Sequence, residues 1–160
     1  MTDELAYLSG QLGRRLADAG LMLATAESCT GGWISKCVTD IAGSSGWLDR
    51  GFVTYSNAAK QDMLGVAAAT LAEYGAVSEP VVREMAMGAV ARSAAQVAVA
   101  VSGVAGPGGG SVDKPVGTVC FGFALPDGVS TETVYFRGDR ESVRRQSVAH
   151  VLTRLIERLA

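Results

Sequence analysis

The sequence predicts an α/β fold: one three-layer α/β/α domain over residues 1–160, with a mixed, mostly parallel sheet and a β-hairpin in the C-terminal half. Three observations predict it. Short apolar or β-branched runs alternate with longer segments of helical period. Several of these runs end in small polar residues that open the next helix. Two late runs are separated by Leu125-Pro126-Asp127-Gly128, a turn sequence that joins antiparallel strands.

In chain order, Leu5, Leu8, Leu12 and Leu16 recur at helical spacing between about Thr2 and Ala19, and Gly20 stands where a C-terminal cap belongs. Leu21 to Ala26 reads as a strand that feeds a helix over Thr30 to Ile41, with Trp33, Ile34, Cys37, Val38 and Ile41 on its apolar face. Gly43-Ser44-Ser45-Gly46 is a turn. Gly51 to Tyr55 is a second strand, and Ser56-Asn57 cap a helix that carries Lys60 near its start. Ala67 to Tyr74 is a short helix closed by Gly75. Ser78-Glu79-Pro80 opens a longer one whose small or apolar face runs from Val82 through Met85, Ala86 and Ala89. Gln96 to Val101 is a continuous apolar run, the pattern of a strand covered on both faces. Val116 to Ala124 and Val129 to Phe136 form the hairpin. Asp139 caps a last helix with Val148, Val151, Leu152, Leu155 and Ile156 as its core stripe.

Composition excludes several classes of function. With 48% hydrophobic and 19% charged residues the chain is globular rather than disordered. No apolar run reaches the roughly 18 to 20 residues that span a bilayer, and Met1-Thr2-Asp3-Glu4 lacks a basic flank, so a cytoplasmic protein with no membrane partner is expected. The net charge of −2, with both signs interspersed, offers no basic stripe for nucleic acid. Cys29, Cys37 and Cys120 are odd in number and form no Cys-x-x-Cys pair, which predicts free thiols and neither a zinc site nor a disulfide framework. No metal or cofactor is expected.

The chemistry concentrates at three junctions. Ser28 sits in Thr25-Ala26-Glu27-Ser28-Cys29-Thr30-Gly31-Gly32, between a strand and a helix, where it can cap the helix or act as a nucleophile. Tyr55 and Lys60 flank a second strand-to-helix junction. The third is the glycine-rich loop Ser102-Gly103-Val104-Ala105-Gly106-Pro107-Gly108-Gly109-Gly110, whose backbone can approach a ligand closely and aim N–H groups at an oxyanion. It is neither a Walker A motif nor a dinucleotide fingerprint. The Ser-x-x-Lys match at Ser111 and Lys114 lies in a turn before Pro115 and lacks the helix that motif needs. The single histidine, His150, lies on the last helix between Ala149 and Val151, a poor place for the base of a Ser-His-Asp triad. A lysine serves as base once desolvation or a helix N-terminus lowers its pKa, so Ser28, Lys60 and Tyr55 with the loop suggest the parts of a Ser-Lys acyl-transfer site, against the plain alternatives of strand packing for Tyr55, a solvated helix face for Lys60 and a flexible turn for the glycines. Arg140 and Arg144 crowd the start of the last helix, the wrong end for cations. An anionic ligand would explain them, as would Glu141 and solvation.

Ala26-Glu27-Ser28-Cys29-Thr30-Gly31-Gly32, Val53-Thr54-Tyr55-Ser56-Asn57 with Lys60, Gly75-Ala76-Val77-Ser78, and Ser102 to Pro107 with Lys114-Pro115-Val116-Gly117-Thr118-Val119 together resemble the CinA C-terminal-domain family, in order and over nearly the whole chain. That family includes stand-alone nicotinamide mononucleotide deamidases. The resemblance implies hydrolysis of the nicotinamide amide to nicotinate mononucleotide and ammonia in pyridine nucleotide recycling. It places the nucleophile on Ser28, the lysine on Lys60 and the tyrosine on Tyr55. Substrate binding falls to Thr30, Gly31 and Gly32 and to Ser102, Gly103, Val104, Ala105 and Gly106. The phosphate is assigned to Arg140 or Arg144, and a homodimer is implied. The alternatives are a nucleotide-binding regulatory module of the same fold without turnover, and a domain that binds protein partners.

Overall fold

The computed structural model describes residues 3–160, so Thr2, at the expected start of the first helix, lies outside the described residues. A five-stranded sheet in the order β2-β1-β3-β4-β5 forms the middle layer, built from β1 (Leu23–Glu27), β2 (Leu48–Val53), β3 (Val97–Gly103), β4 (Thr118–Leu125) and β5 (Gly128–Tyr135). β1 runs parallel to β2 and β3, while β4 is antiparallel to both β3 and β5. Only β4 therefore opposes the common direction. Leu125 pairs with Gly128, so Pro126-Asp127 make the expected tight turn.

The two faces differ because β3 alternates large and small side chains. Val97, Val99 and Val101 join Phe121 and Phe123 of β4 in a core covered by α1 (Asp3–Ala19), α2 (Trp33–Thr39) and α6 (Arg140–Arg158). Ala98 and Ala100 face the other way with Ala24 and Ala26, under α3 (Asn57–Leu64), α4 (Ala68–Tyr74) and α5 (Glu79–Ala91). The small residues let α5 lie close to the sheet. At Gly122 of β4 a Cβ would stand 2.4 Å from the Val82 carbonyl oxygen of α5. The result is the three-layer α/β/α arrangement that the sequence predicts.

Strand ends shift by one to three residues, most clearly in β2. β2 begins at Leu48 rather than Gly51 and ends at Val53, leaving Thr54 and Tyr55 in the connection to α3. Asp49 and Arg50 lie outside the expected strand, but β2 is an edge strand, where charged residues are common. Three cap predictions hold: Ser56 accepts from Ala59 N at 3.0 Å, Ser78 from Val81 N at 3.4 Å, and Asp139 from Ser142 N at 2.9 Å.

Candidate active site

Parallel pairing puts the ends of β1, β2 and β3 side by side, with Glu27 opposite both Val53 and Val101. The chain leaves β1 towards β2 on one side and later returns to β3 on the other. The crevice beyond the carboxyl ends of these strands is thus a topological switch point, the usual ligand site of such sheets. Ser28, the first residue past β1, lies there between Thr54 and Ser102. Its backbone N–H donates to Val101 O at 3.0 Å, and Thr54 N donates to Glu27 O at 2.8 Å.

Alternation along β1 sends Glu27 towards α2 and Ser28 towards α3, where Lys60 meets it. The Lys60 Nζ is 3.0 Å from Ser28 Oγ, 2.9 Å from Thr54 O and 3.4 Å from Tyr55 O. Lys60 is 1% exposed and Ser28 7%. Burial disfavours the ammonium form and pulls the Lys60 pKa below the ordinary lysine value. The carbonyls of Thr54 and Tyr55 supply two acceptors for the two N–H bonds of a neutral amine. The lone pair is then left for the Ser28 hydroxyl proton. A lysine so held can serve as a general base.

For Cys29, beside Ser28, burial pushes the thiol up to about 12, so it offers almost no thiolate at neutral pH. Tyr55 approaches the pair through its backbone carbonyl. Tyr55 is 64% exposed and its hydroxyl lies 3.5 Å from an Arg140 guanidinium nitrogen, at the rim of the crevice.

The N–H groups of the two loops divide into committed and available donors. Gly31 N donates to Ser28 O, Gly32 N to the Glu27 carboxylate, and Val104 N to Thr118 O. Thr30 Oγ1 donates to Glu27 at 2.6 Å. Among the described residues no hydrogen bond takes the backbone N–H of Cys29, Thr30, Ala105 or Gly106. Thr30 has no accessible surface, which leaves the N–H groups of Cys29, Ala105 and Gly106 as candidates for an oxyanion. Gly31 and Gly32 have φ of 59° and 104°, a left-handed turn that residues with a Cβ adopt only at a cost, so these two glycines shape the loop more than they expose donors. Ser102, 2% exposed, borders the crevice from β3, and Gly103 is the last residue of that strand.

Arg140 and Arg144 sit at the start of α6 because loop carbonyls accept from them. Arg140 donates to Gly106 O at 2.9 Å. Arg144 donates to Cys29 O at 3.0 Å and Thr30 O at 3.3 Å while lying over the Trp33 ring. These contacts offset the unfavourable helix dipole without an anionic ligand. They also brace both loops against α6.

Sequence reasoning missed Glu27. It is fully buried, and its carboxylate accepts from Gly32 N, Ile34 N and Ser35 N as well as Thr30 Oγ1. The signal was present: Gly31-Gly32 offer no side chain to cap α2, and an acidic residue stands at the end of an otherwise apolar strand. His150 lies apart from the site, against Glu132 of β5 at 2.5 Å. Among the described residues no three His, Cys, Asp or Glu side chains gather as a metal site.

Comparison with known proteins follows the same lines. The family described as CinA C-terminal domain matches residues 5–159. Nicotinamide-nucleotide amidohydrolase PncC of Escherichia coli (strain K12) is 58% identical over 157 residues, covering 97% of this chain and 95% of that protein. The protein of the same name from Enterobacter agglomerans is 60% identical over 149 residues, covering 92% and 91%. Among solved structures, the competence/damage inducible protein CihA from Agrobacterium tumefaciens superposes with a TM-score of 0.92 at 47% identity, covering 96% of this chain and 94% of its own.

Proposed function

Because the chain belongs to the CinA C-terminal domain family, we propose that residues 1–160 act as one catalytic domain that hydrolyses the amide of nicotinamide mononucleotide to nicotinate mononucleotide and ammonia. The observation that carries the mechanism is the buried contact of Lys60 Nζ with Ser28 Oγ at 3.0 Å. Neutral Lys60 takes the hydroxyl proton as Ser28 Oγ attacks the carboxamide carbon. The tetrahedral oxyanion is held by backbone N–H groups drawn from Cys29, Ala105 and Gly106. Collapse breaks the C–N bond, Lys60 returns the proton to the leaving amine, and ammonia departs from a Ser28 ester. Water, deprotonated by Lys60, then attacks that ester, and Lys60 returns the proton to the departing Ser28 Oγ as the carboxylate product is released.

Tyr55 assists from the rim, where its exposed ring can cover a bound pyridine. Ser102 and Gly103 border the same crevice. Arg140 or Arg144 holds the phosphate with guanidinium N–H groups beyond those given to loop carbonyls. The reading extends to a homodimer in the cytoplasm that takes a small pyridine mononucleotide and no nucleic acid. Light scattering on the purified protein tests the dimer.

Incubation with nicotinamide mononucleotide and measurement of ammonia tests the activity. Wild type releases ammonia, and Ser28→Ala lowers kcat by about three orders of magnitude or more. Undiminished release from Ser28→Ala sinks the nucleophile. A nucleotide-dependent rise in melting temperature with no ammonia from wild type identifies a binding module instead.

A further inference from the structure

We propose that Glu27 is a positioning residue for this reaction: its buried carboxylate caps α2 from a distance and thereby fixes Ser28 against Lys60. The inference rests on the reading of Ser28 as nucleophile, and it assigns work to a carboxylate that the mechanism itself does not use.

Helix α2 lacks an ordinary cap. Its N-cap is Gly32, which has no side chain to accept from the first-turn N–H groups. Glu27 does so from the end of β1. Its Oε1 accepts from Ile34 N at 2.9 Å, Gly32 N at 3.2 Å and Thr30 Oγ1 at 2.6 Å, and its Oε2 accepts from Ser35 N at 3.0 Å. Four donors satisfy one carboxylate with no exposure to water, the condition under which a buried acidic group is held firmly.

The consequence for Ser28 follows from connectivity. A cap next to its own helix would fix only that helix. Here the capping side chain belongs to the residue before the nucleophile, so residues 28–32 are closed into a ring between the strand end and α2. The main chain of the same residue is tied as well, through Thr54 N to Glu27 O. Thr54 in turn accepts from Lys60 Nζ, which reaches Ser28 Oγ. Nucleophile and base are thus referenced to one residue, by its carbonyl on the Lys60 side and its carboxylate on the α2 side. Displacing a nucleophile by about 1 Å can cost roughly a hundredfold in rate, so this fixing bears directly on catalysis.

Glu27→Gln keeps the side-chain shape but turns a donor towards Ser35 N. Glu27→Asp keeps the charge and withdraws it by one methylene. The test measures kcat and KM for nicotinamide mononucleotide, melting temperature, and the rate at which a small fluorophosphonate, carrying no pyridine or phosphoribosyl group, labels Ser28 as read by intact mass. For folded Glu27→Gln we expect kcat to fall about 10- to 100-fold, KM to move less than about threefold, and Ser28 labelling to slow by the same factor as kcat. Glu27→Asp should recover part of both rates. Labelling reports on Ser28 whether or not the substrate is correctly identified, so loss of the substrate reading and loss of this inference remain distinguishable. A folded Glu27→Gln that keeps wild-type kcat and labelling overturns the inference. So does a loss confined to KM or to melting temperature.

Discussion

Lys60 is the residue on which pH acts. Its pKa is lowered in the folded chain by burial, so between that value and the ordinary lysine value the unfolded chain binds the extra proton. The Lys60 contribution to stability is therefore fully present above the unfolded pKa and is lost as pH falls through the folded one. Stability of wild type relative to Lys60→Met should rise with pH across that window, measured by urea unfolding at a series of pH values. A wild-type-minus-variant difference that is flat in pH removes the argument. Activity follows the same ionisation in the same direction. The kcat/KM profile should climb as Lys60 loses its proton and level off at a pH below the ordinary lysine value, and Lys60→Met should abolish the limb along with the activity. Lys60 and Ser28 stand 32 positions apart in sequence, and only the pairing of β1 with β2 brings them together.

Among the elements, α5 and α6 set the two walls that hold the site. α5 contacts α3 through Gly88, where a Cβ would lie 2.0 Å from the Leu64 carbonyl oxygen at the end of the helix that carries Lys60. Alanine normally favours a helix over glycine by about 1 kcal/mol. Here the overlap with backbone outweighs that gain, and Gly88→Ala should destabilise the protein by about 2 kcal/mol. That corresponds to a melting temperature lower by roughly 4 to 8 °C, with a fall in activity as α3 shifts. An unchanged melting temperature contradicts the close packing. α6 is joined to β5 by Glu132, which meets His150 at 2.5 Å and both Arg154 Nε and Nη2 at 3.1 Å. Burial alone would raise the Glu132 carboxyl, but the bonds from His150 and Arg154 outweigh it and hold it below the usual glutamate value. Its contribution is present above the unfolded glutamate pKa and lost as pH falls through the lowered one. Glu132→Gln should cost about 1 to 2 kcal/mol at neutral pH, less than a fully buried pair because the carboxylate keeps some exposure. The difference should vanish in acid when measured by calorimetry. The helices and hairpin were legible because their periods and caps are local. The start of β2 was not, because the charges of an edge strand look like those of a loop.

For the whole molecule, binding and folding are linked. A product that occupies only the folded crevice stabilises it by about 2.7 kcal/mol at a hundred times its Kd, which should raise the melting temperature by roughly 5 to 11 °C for a domain of this size. Thermal shift with nicotinate mononucleotide checks this, and the Ser28→Ala variant should retain the shift if the proposed role of its hydroxyl is attack rather than binding. Absence of any shift at millimolar product would remove the nucleotide from the crevice. The crevice exists because β1 has a parallel neighbour on each side, which opens the carboxyl ends of three strands to one ligand.

The sequence by itself determined the fold class, the hairpin, the caps at Ser56, Ser78 and Asp139, and the family, because each is written in local periodicity, turn chemistry or an ordered set of motifs. It also named Ser28 and Lys60 as residues to watch. Only the tertiary structure decided that these two touch, that Tyr55 offers its carbonyl to the lysine and its ring to the rim, and that Arg140 and Arg144 hold loop carbonyls. Glu27 is the plainest case. The uncapped Gly31-Gly32 start of α2 hints at it in sequence, but that this carboxylate is the partner appears only when the N–H groups of α2 are seen to converge on it, which depends on how a strand and a helix meet in space.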